Sequence, residues 1–291
     1  MPTHELTKNR NGTTSLRELK SGEVMHSSVG PREEATLLYI EQSKIKQHLL
    51  ASPGSGSEPL ILWDVGLGAA TNALAALQCR REAAPQTNLT ARALHVLSFE
   101  NDISGLRLAL ENAQDFPFFD GLQDAVASLL ANGSWNDEKG GLHWQLFNGE
   151  FHDHAPACPA PELIFFDFYS PKTVPHLWNV ATFELLYGAC TPRLAQGLGS
   201  TLYTYSASTR VRVALLLAGF YVGFGHNTGA KNDTTVAATR LKDLERPLDA
   251  RWLERLQRSH EPFPHGWVGS DRAALYARVL EHDQFKPYSR K

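Results

Sequence analysis

An α/β fold, a mostly parallel sheet with helices on both faces, is predicted by three observations. From Leu60 onward, short apolar runs alternate with stretches of helical periodicity, the pattern of strands joined through crossover helices. The first run leads straight into a glycine turn and a helix start, "ILWDVGLGAATNAL". The last two runs, "YVGFG" and "TTVAAT", leave no room for a helix between them, so they are expected to close as an antiparallel hairpin at the sheet edge.

The polar residues 1–24 read as a loose tail. "REEATLLYIEQSKIKQHLL" reads as one amphipathic helix, with Ala35, Leu38, Tyr39 and Gln42 spaced along one side. "ASPGSGSEP" is a connector. The main domain, 25–240, then runs strand "LILWDVG", helix "AATNALAALQCRREA", strand "LHVLSFE", helix "ISGLRLALENA", strand "LHWQLFNG" and strand "ELIFFDF". A helix follows from about Pro175 to Ala189, then strand "GSTLYTYS", helix "TRVRVALLLAGF" ended by Gly219, and the hairpin. Residues 113–141 are a helical excursion, and 241–291 a C-terminal helical extension.

Composition narrows the function classes. The chain has 291 residues, a hydrophobic fraction of 42% and a formal net charge of −3, which argues against nucleic-acid binding by bulk charge. Its three cysteines, Cys79, Cys158 and Cys190, form no CxxC and fit a reducing compartment. No apolar run approaches the ~20 residues of a membrane span, and the N-terminus lacks the apolar centre of a secretory signal. The expectation is a cytoplasmic protein that binds no membrane. "HDH", His152 to His154, has no further ligands at suitable spacing, so no metal site is expected. GxSxG and P-loop patterns are absent, which removes hydrolase and NTPase readings.

Gly66 and Gly68 let the backbone turn tightly and approach a ligand beside a helix N-terminus. Glu100 ends the second strand, where a carboxylate can accept the ribose hydroxyls of an adenosine. Asn148 and Glu150 follow the next strand and can address an adenine edge. Three successive strand ends carrying glycine, acid and acid make a nucleoside crevice at the carboxyl edge of the sheet. NAD and S-adenosylmethionine both fit such a crevice. NAD wants a third glycine for its pyrophosphate, and Thr71 stands there. S-adenosylmethionine has no phosphate, so the turn and the final hairpin favour it, as does the "AGF" turn common before that hairpin in class I (Rossmann-like) methyltransferases.

From about Met25 to Thr239 the chain resembles the methyltransferase half of MnmC, the bifunctional wobble-uridine tRNA enzyme family, and its stand-alone relatives. "SSVGPREEA" matches an early family segment, and Gly66, Gly68, Asn72 and Leu74 match its glycine motif. Glu100 matches its second-strand acid, and Gly149 with Glu150 its Gly-Asp pair. The family block Asp-Gly-Phe-x-Pro-x-Lys-Asn-Pro-x-x-Trp falls without a gap on "DFYSPKTVPHLW", keeping Asp167, Tyr169, Pro171, Pro175 and Trp178. Phe168 replaces the family glycine, and Thr173 and Val174 replace Lys-Asn.

The resemblance implies a class I methyltransferase that uses S-adenosylmethionine, held by Gly66, Gly68, Asn72, Glu100, Asn148, Gly149, Glu150 and Asp167. It implies that the methyl group goes to the exocyclic amine of 5-aminomethyl-2-thiouridine, with tRNA as partner. Asp167 would orient the amine and help it shed a proton. Phe168, Tyr169 and Trp178 would stack on the splayed base, and Pro171 and Pro175 would stiffen the turn. Lys172, Arg210, Arg212, Lys231 and Arg240 are candidates to meet the RNA backbone. This sequence shows no FAD-binding half, so methylation alone is expected, with another protein supplying the amine. The departures at 168, 173 and 174 leave a small amine or another nucleoside as the alternative acceptor. An oxidoreductase and a non-catalytic binding protein are the competing classes.

Overall fold

The computed structural model describes residues 2–25, 30–51, 58–83, 91–227 and 233–288. Its contacts divide the chain into two compact units. One is Met1–His154 with Leu163–Tyr169, and the other Ala155–Glu162 with Ser170–Lys291. The division does not fall at 24 or 240, where composition changes.

The first unit opens with a correction. The expected loose tail forms an antiparallel hairpin of β1 (His4–Lys8) and β2 (Thr14–Glu18). Its turn closes through Asn9 N–H to Thr13 O at 2.8 Å, and its buried residues are His4, Thr14, Ser15 and Leu16. With so little apolar content per strand, the alternation that marks a strand was invisible.

The expected long helix is broken. α1 (Pro31–Ala35) widens into a π-turn over Thr36–Glu41, and α2 (Ile45–Leu50) starts only after Lys44 enters the left-handed region at φ 53°. The inward face is as the spacing predicts: Ala35, Leu38, Tyr39 and Gln42 are all buried.

The alternating part follows as β3 (Leu60–Val65), α3 (Thr71–Ala83), β4 (Leu94–Glu100), α4 (Ser104–Glu111), α5 (Gln123–Asn132), β5 (Ser134–Asp137), β6 (Leu142–Asn148), α6 (Phe151–His154) and β7 (Leu163–Phe166). β5 is an unexpected strand inside the excursion, paired antiparallel to β6. Its residues, "SWND", give no apolar alternation. The strand order in this unit is β5-β6-β4-β3-β7, and the last four are parallel. Leu62, Trp63, Val65, Val96, Phe99, Trp144, Phe165 and Phe166 are buried along them, the composition of strands covered on both faces.

Register decides what meets at the carboxyl edge. Val65 stands opposite Phe99 and Phe166, and Glu100 opposite Asn148. Continued by one residue, Gly66, Glu100, Asn148 and Asp167 lie in one row across four strand ends.

The second unit contains α7 (Val180–Ala195), β8 (Thr201–Thr204), α8 (Thr209–Leu217), β9 (Tyr221–Phe224), β10 (Thr235–Ala238), α9 (Ala250–Arg258) and α10 (Arg272–Leu280). The helix expected from Pro175 starts later. Pro175–Leu177 is a single 3-10 turn, and the Asn179 side chain caps α7 by accepting from Thr182 N–H at 2.8 Å. The expected antiparallel hairpin is present, in the order β8-β10-β9. The C-terminal extension protects its edge. Phe224 N–H donates to Arg246 O at 2.8 Å and Leu248 N–H to Val222 O at 2.9 Å. The buried Gln284 side chain donates to Val222 O at 2.7 Å and accepts from Val222 N–H at 2.8 Å. No described helix is long and apolar enough to cross a membrane.

Lys44 is a non-glycine residue held at φ 53°, a conformation that costs an L-residue ~1 kcal/mol. Lys44→Gly is therefore expected to leave the melting temperature unchanged or raise it by a few degrees despite the flexibility glycine adds. A clear fall in thermal denaturation would show that the bend is not strained.

Candidate functional site

The site is built on the row of strand ends in the first unit. Gly66 leaves β3 at φ 92°, and a Cβ there would stand 2.9 Å from the Asp167 carbonyl and from Phe168 N. The glycine is thus required by the approach of the β7 end, a reason the sequence reading had assigned to a ligand. Gly68 turns at φ 53° and Ala70 at φ 65°, so the entry to α3 holds a strained alanine as well.

Each acid has a backbone or amide partner. Glu100 Oε2 accepts from Gly68 N–H at 3.0 Å, while Oε1 accepts from Asn101 N–H at 3.0 Å and Asp102 N–H at 3.1 Å. Burial raises its pKa, against the lowering effect of these bonds. A carboxylate offers about four acceptor positions, so a ribose hydroxyl meets a group already occupied mainly by its own turn. Asp167 Oδ2 accepts from the Asn72 side-chain N–H at 2.7 Å, and Asp167 N–H donates to Val65 O at 2.8 Å. Asn72, buried in the first turn of α3, holds this carboxylate in place. Glu150 Oε1 accepts from the Asn101 side chain at 2.9 Å, which ties the ends of β4 and β6 together. At Gly149 a Cβ would fall 2.7 Å from His154 Nε2.

Beneath this row lies a group that the sequence reading passed over as strand interior. Asp64 is 1% exposed. Its Oδ2 accepts from the Ser98 hydroxyl at 2.7 Å, and Ser98 Oγ accepts from the Trp144 indole N–H at 2.9 Å. Oδ1 has no hydrogen-bond partner among the described residues. Burial, with smaller contributions from the charges of Asp167 and Glu100, pushes the carboxyl up to about 7. The signal was available: an acid among apolar residues of a strand buried on both faces calls for a partner. Three carboxyls therefore converge around the glycine turn.

A model of the S-adenosyl-L-methionine-dependent methyltransferase family matches residues 139–240. The bifunctional protein MnmC of tRNA 5-methylaminomethyl-2-thiouridine biosynthesis from Aeromonas hydrophila is 25% identical over 250 residues, 80% of this chain and 35% of the relative. MnmC of Ralstonia nicotianae is 38% identical over 102 residues, 33% of this chain and 14% of the relative. The chain thus spans about a third or less of the length of these relatives. Among solved structures, MNMC2 from Aquifex aeolicus superposes with a TM-score of 0.69 at 19% identity, covering 99% of this chain and 86% of that one. The chain is an S-adenosyl-L-methionine-dependent methyltransferase. It is related to the MnmC proteins, and its fold is the class I, Rossmann-like one expected from the sequence.

The methyltransferase brings Gly66, Gly68, Asn72, Glu100, Gly149, Glu150 and Asp167 to one end of its first unit. Asn148 ends β6 there and is exposed. The crevice fits the cofactor in its donor set: backbone N–H groups and carboxyls at a glycine turn. Phe168 is half-buried, edge-on to Phe166 and Phe151 at centroid distances of 5.2 and 6.2 Å. Tyr169 is half-buried and its hydroxyl lies 3.0 Å from His4 Nε2.

The remaining residues expected to touch an acceptor belong to the second unit. Lys172 is exposed and Pro171 half-buried. Trp178, expected to stack on a base, is fully buried and packs edge-on to Tyr205 at 5.7 Å. It is a core residue: its backbone N–H closes the turn onto Pro175 O at 3.2 Å, and its ring is packed inward. Arg212 is likewise inward. It donates to Thr235 Oγ1 at 3.0 Å and Asp233 O at 2.7 Å, with its guanidinium 4.8 Å from the Phe224 ring centroid. Arg240 forks onto Asp243, and Arg210 pairs with Glu261 at 3.5 Å. Lys231 lies outside the described residues.

Asp64 yields a prediction with a definite sign. Its folded pKa is raised from 3.8 to about 7, so the folded state holds the proton longer. Stability is full below pH ~4 and falls as pH rises through about 7. Asp64→Asn removes this loss. Its stability relative to the parent is expected to rise by on the order of 2 kcal/mol between pH 5 and pH 8, measured by denaturant unfolding. Parallel pH profiles for the two proteins would refute the buried-acid assignment.

Proposed function

We propose that this methyltransferase transfers a methyl group to the exocyclic amine of 5-aminomethyl-(2-thio)uridine at the wobble position of tRNA. The observation that carries the reading is Asp167, fixed through Asn72 at 2.7 Å at the mouth of the cofactor crevice. It stands in the block "DFYSPKTVPHLW" that resembles MnmC, and the Aeromonas hydrophila MnmC aligns over 80% of this chain. S-adenosyl-L-methionine, when bound, supplies a methyl group activated by a sulfonium. Asp167 accepts one N–H of the incoming amine and turns its lone pair toward that methyl carbon. It then takes the proton the nitrogen sheds once the new bond is made. Asn72 keeps the carboxylate from rotating away. Phe168 and Tyr169 offer ring surface beside it to a splayed base.

A small amine is the second reading, favoured by a specific observation. Of the arginines expected to meet an RNA backbone, Arg212 is engaged inside the protein and Arg240 is paired with Asp243, and the net charge is −3.

The test is incubation with labelled S-adenosyl-L-methionine and bulk tRNA from cells lacking wobble-uridine methylation, followed by digestion to nucleosides. Label is expected in methylaminomethyl-uridine, and Asp167→Asn is expected to lower it at least ~100-fold while cofactor binding is largely kept. No label in any nucleoside, with cofactor binding intact, would sink the tRNA reading. Label in added small amines would then establish the second one.

A further inference from the structure

His4 belongs to the segment that sequence marks as tail, yet it is 6% exposed and bonded at both ring nitrogens. Nε2 lies 3.0 Å from the Tyr169 hydroxyl. Nδ1 lies 3.0 Å from Ser104 Oγ and 2.9 Å from Thr3 Oγ1. The Thr3 hydroxyl donates to Asp102 Oδ2 at 2.8 Å, and that carboxylate stands 3.9 Å from Nδ1. The His4 and Tyr169 rings lie 18° from parallel with centroids 6.5 Å apart. A phenol is a better donor than an aliphatic hydroxyl, and we assign the hydrogen bonds in that sense. Tyr169 O–H donates to Nε2, Nδ1–H donates to the Ser104 and Thr3 oxygens, and Thr3 donates to Asp102. Burial and the acids nearby keep the Tyr169 phenol protonated, as this direction requires.

The two ends of this link have definite places. Ser104 starts α4, just beyond the β4 end where Glu100 holds Gly68. Tyr169 lies two residues past Asp167 at the end of β7. β4 and β7 are the two neighbours of β3, so His4 reaches from one side of the glycine turn to the other. Its surroundings come from the same N-terminal segment. A Cβ on Gly105 would meet Met25 Cε at 3.2 Å, Leu16 Cδ1 at 3.4 Å and His4 Cε1 at 3.5 Å, and one on Gly68 would meet Met25 Sδ at 3.3 Å.

We propose that His4 is a positioning residue for cofactor binding: by bridging Tyr169 and Ser104 it fixes the spacing of the β4 and β7 ends across the Gly66–Gly68 turn, with the N-terminal hairpin as the roof of the crevice. This rests on the reading that S-adenosyl-L-methionine binds at that turn.

The test is calorimetric titration of S-adenosyl-L-methionine into the full chain and its variants, with melting curves alongside. A glutamine amide reaches where Nε2 stands, and an asparagine amide reaches only where Nδ1 stands. His4→Asn and Tyr169→Phe are each expected to raise Kd about tenfold, and the double variant no further, because both remove one interaction. His4→Gln, which keeps the Tyr169 end and loses the Ser104 end, is expected to raise Kd about tenfold as well. Parental affinity in His4→Gln or in His4→Asn, or additive losses in the double variant, would overturn the bridge. Glu100→Gln separates the underlying reading. If it weakens binding and His4→Asn does not, the positioning role fails alone. If Glu100→Gln has no effect, the cofactor is not at this turn and both fall.

Discussion

The approach of the β3 and β7 ends is the constraint from which the site follows. Gly66 leaves no room for a side chain beside the Asp167 carbonyl and Phe168 N, each 2.9 Å from where a Cβ would stand. Two parallel strands in register put those residues side by side. The absent side chain lets the chain after β7 turn over the start of α3. Asn72 is then within hydrogen-bond reach of Asp167. Once that bond is made, the carboxylate has one orientation, and the neighbouring Phe168 and Tyr169 are carried to the same rim.

Electrostatics adds a second condition. Asp64, Glu100 and Asp167 would repel one another as three free carboxylates in a partly buried place. The fold answers each in its own way. Glu100 is wrapped by three backbone N–H groups, Asp167 is held by an amide, and Asp64, pushed up to about 7 by burial, is bonded to Ser98, which Trp144 holds in turn. The result is a cluster of carboxyls at the glycine turn in which each has its own partner.

The ends of the chain show where sequence patterning runs out. β1 and β2 carry few apolar residues, and their structure depends on a histidine and on partners about a hundred residues or more away, Ser104 and Tyr169. No local periodicity encodes such contacts. The C-terminal extension has clear helical periodicity, but its use in covering β9 rests on Gln284, an ordinary polar residue until its amide meets Val222 and Leu248. Trp178 misled for the opposite reason. An aromatic in a block beside an acid reads as a stacking surface, and only the packing against Tyr205 shows it to be core.

What sequence determined by itself was the alternation of strands and helices from Leu60 onward, the glycine turn, the acids at successive strand ends and the antiparallel closure. Each is written in residues close together in the chain, through apolar period, glycine conformation and the position of a charge after an apolar run. What tertiary structure alone decided was which groups meet: Asn72 with Asp167, Glu100 with Gly68, His4 with Tyr169, and the buried Asp64 with Ser98. These depend on strand register and on packing between distant segments, and a one-residue change in register would undo every pair without altering any local pattern.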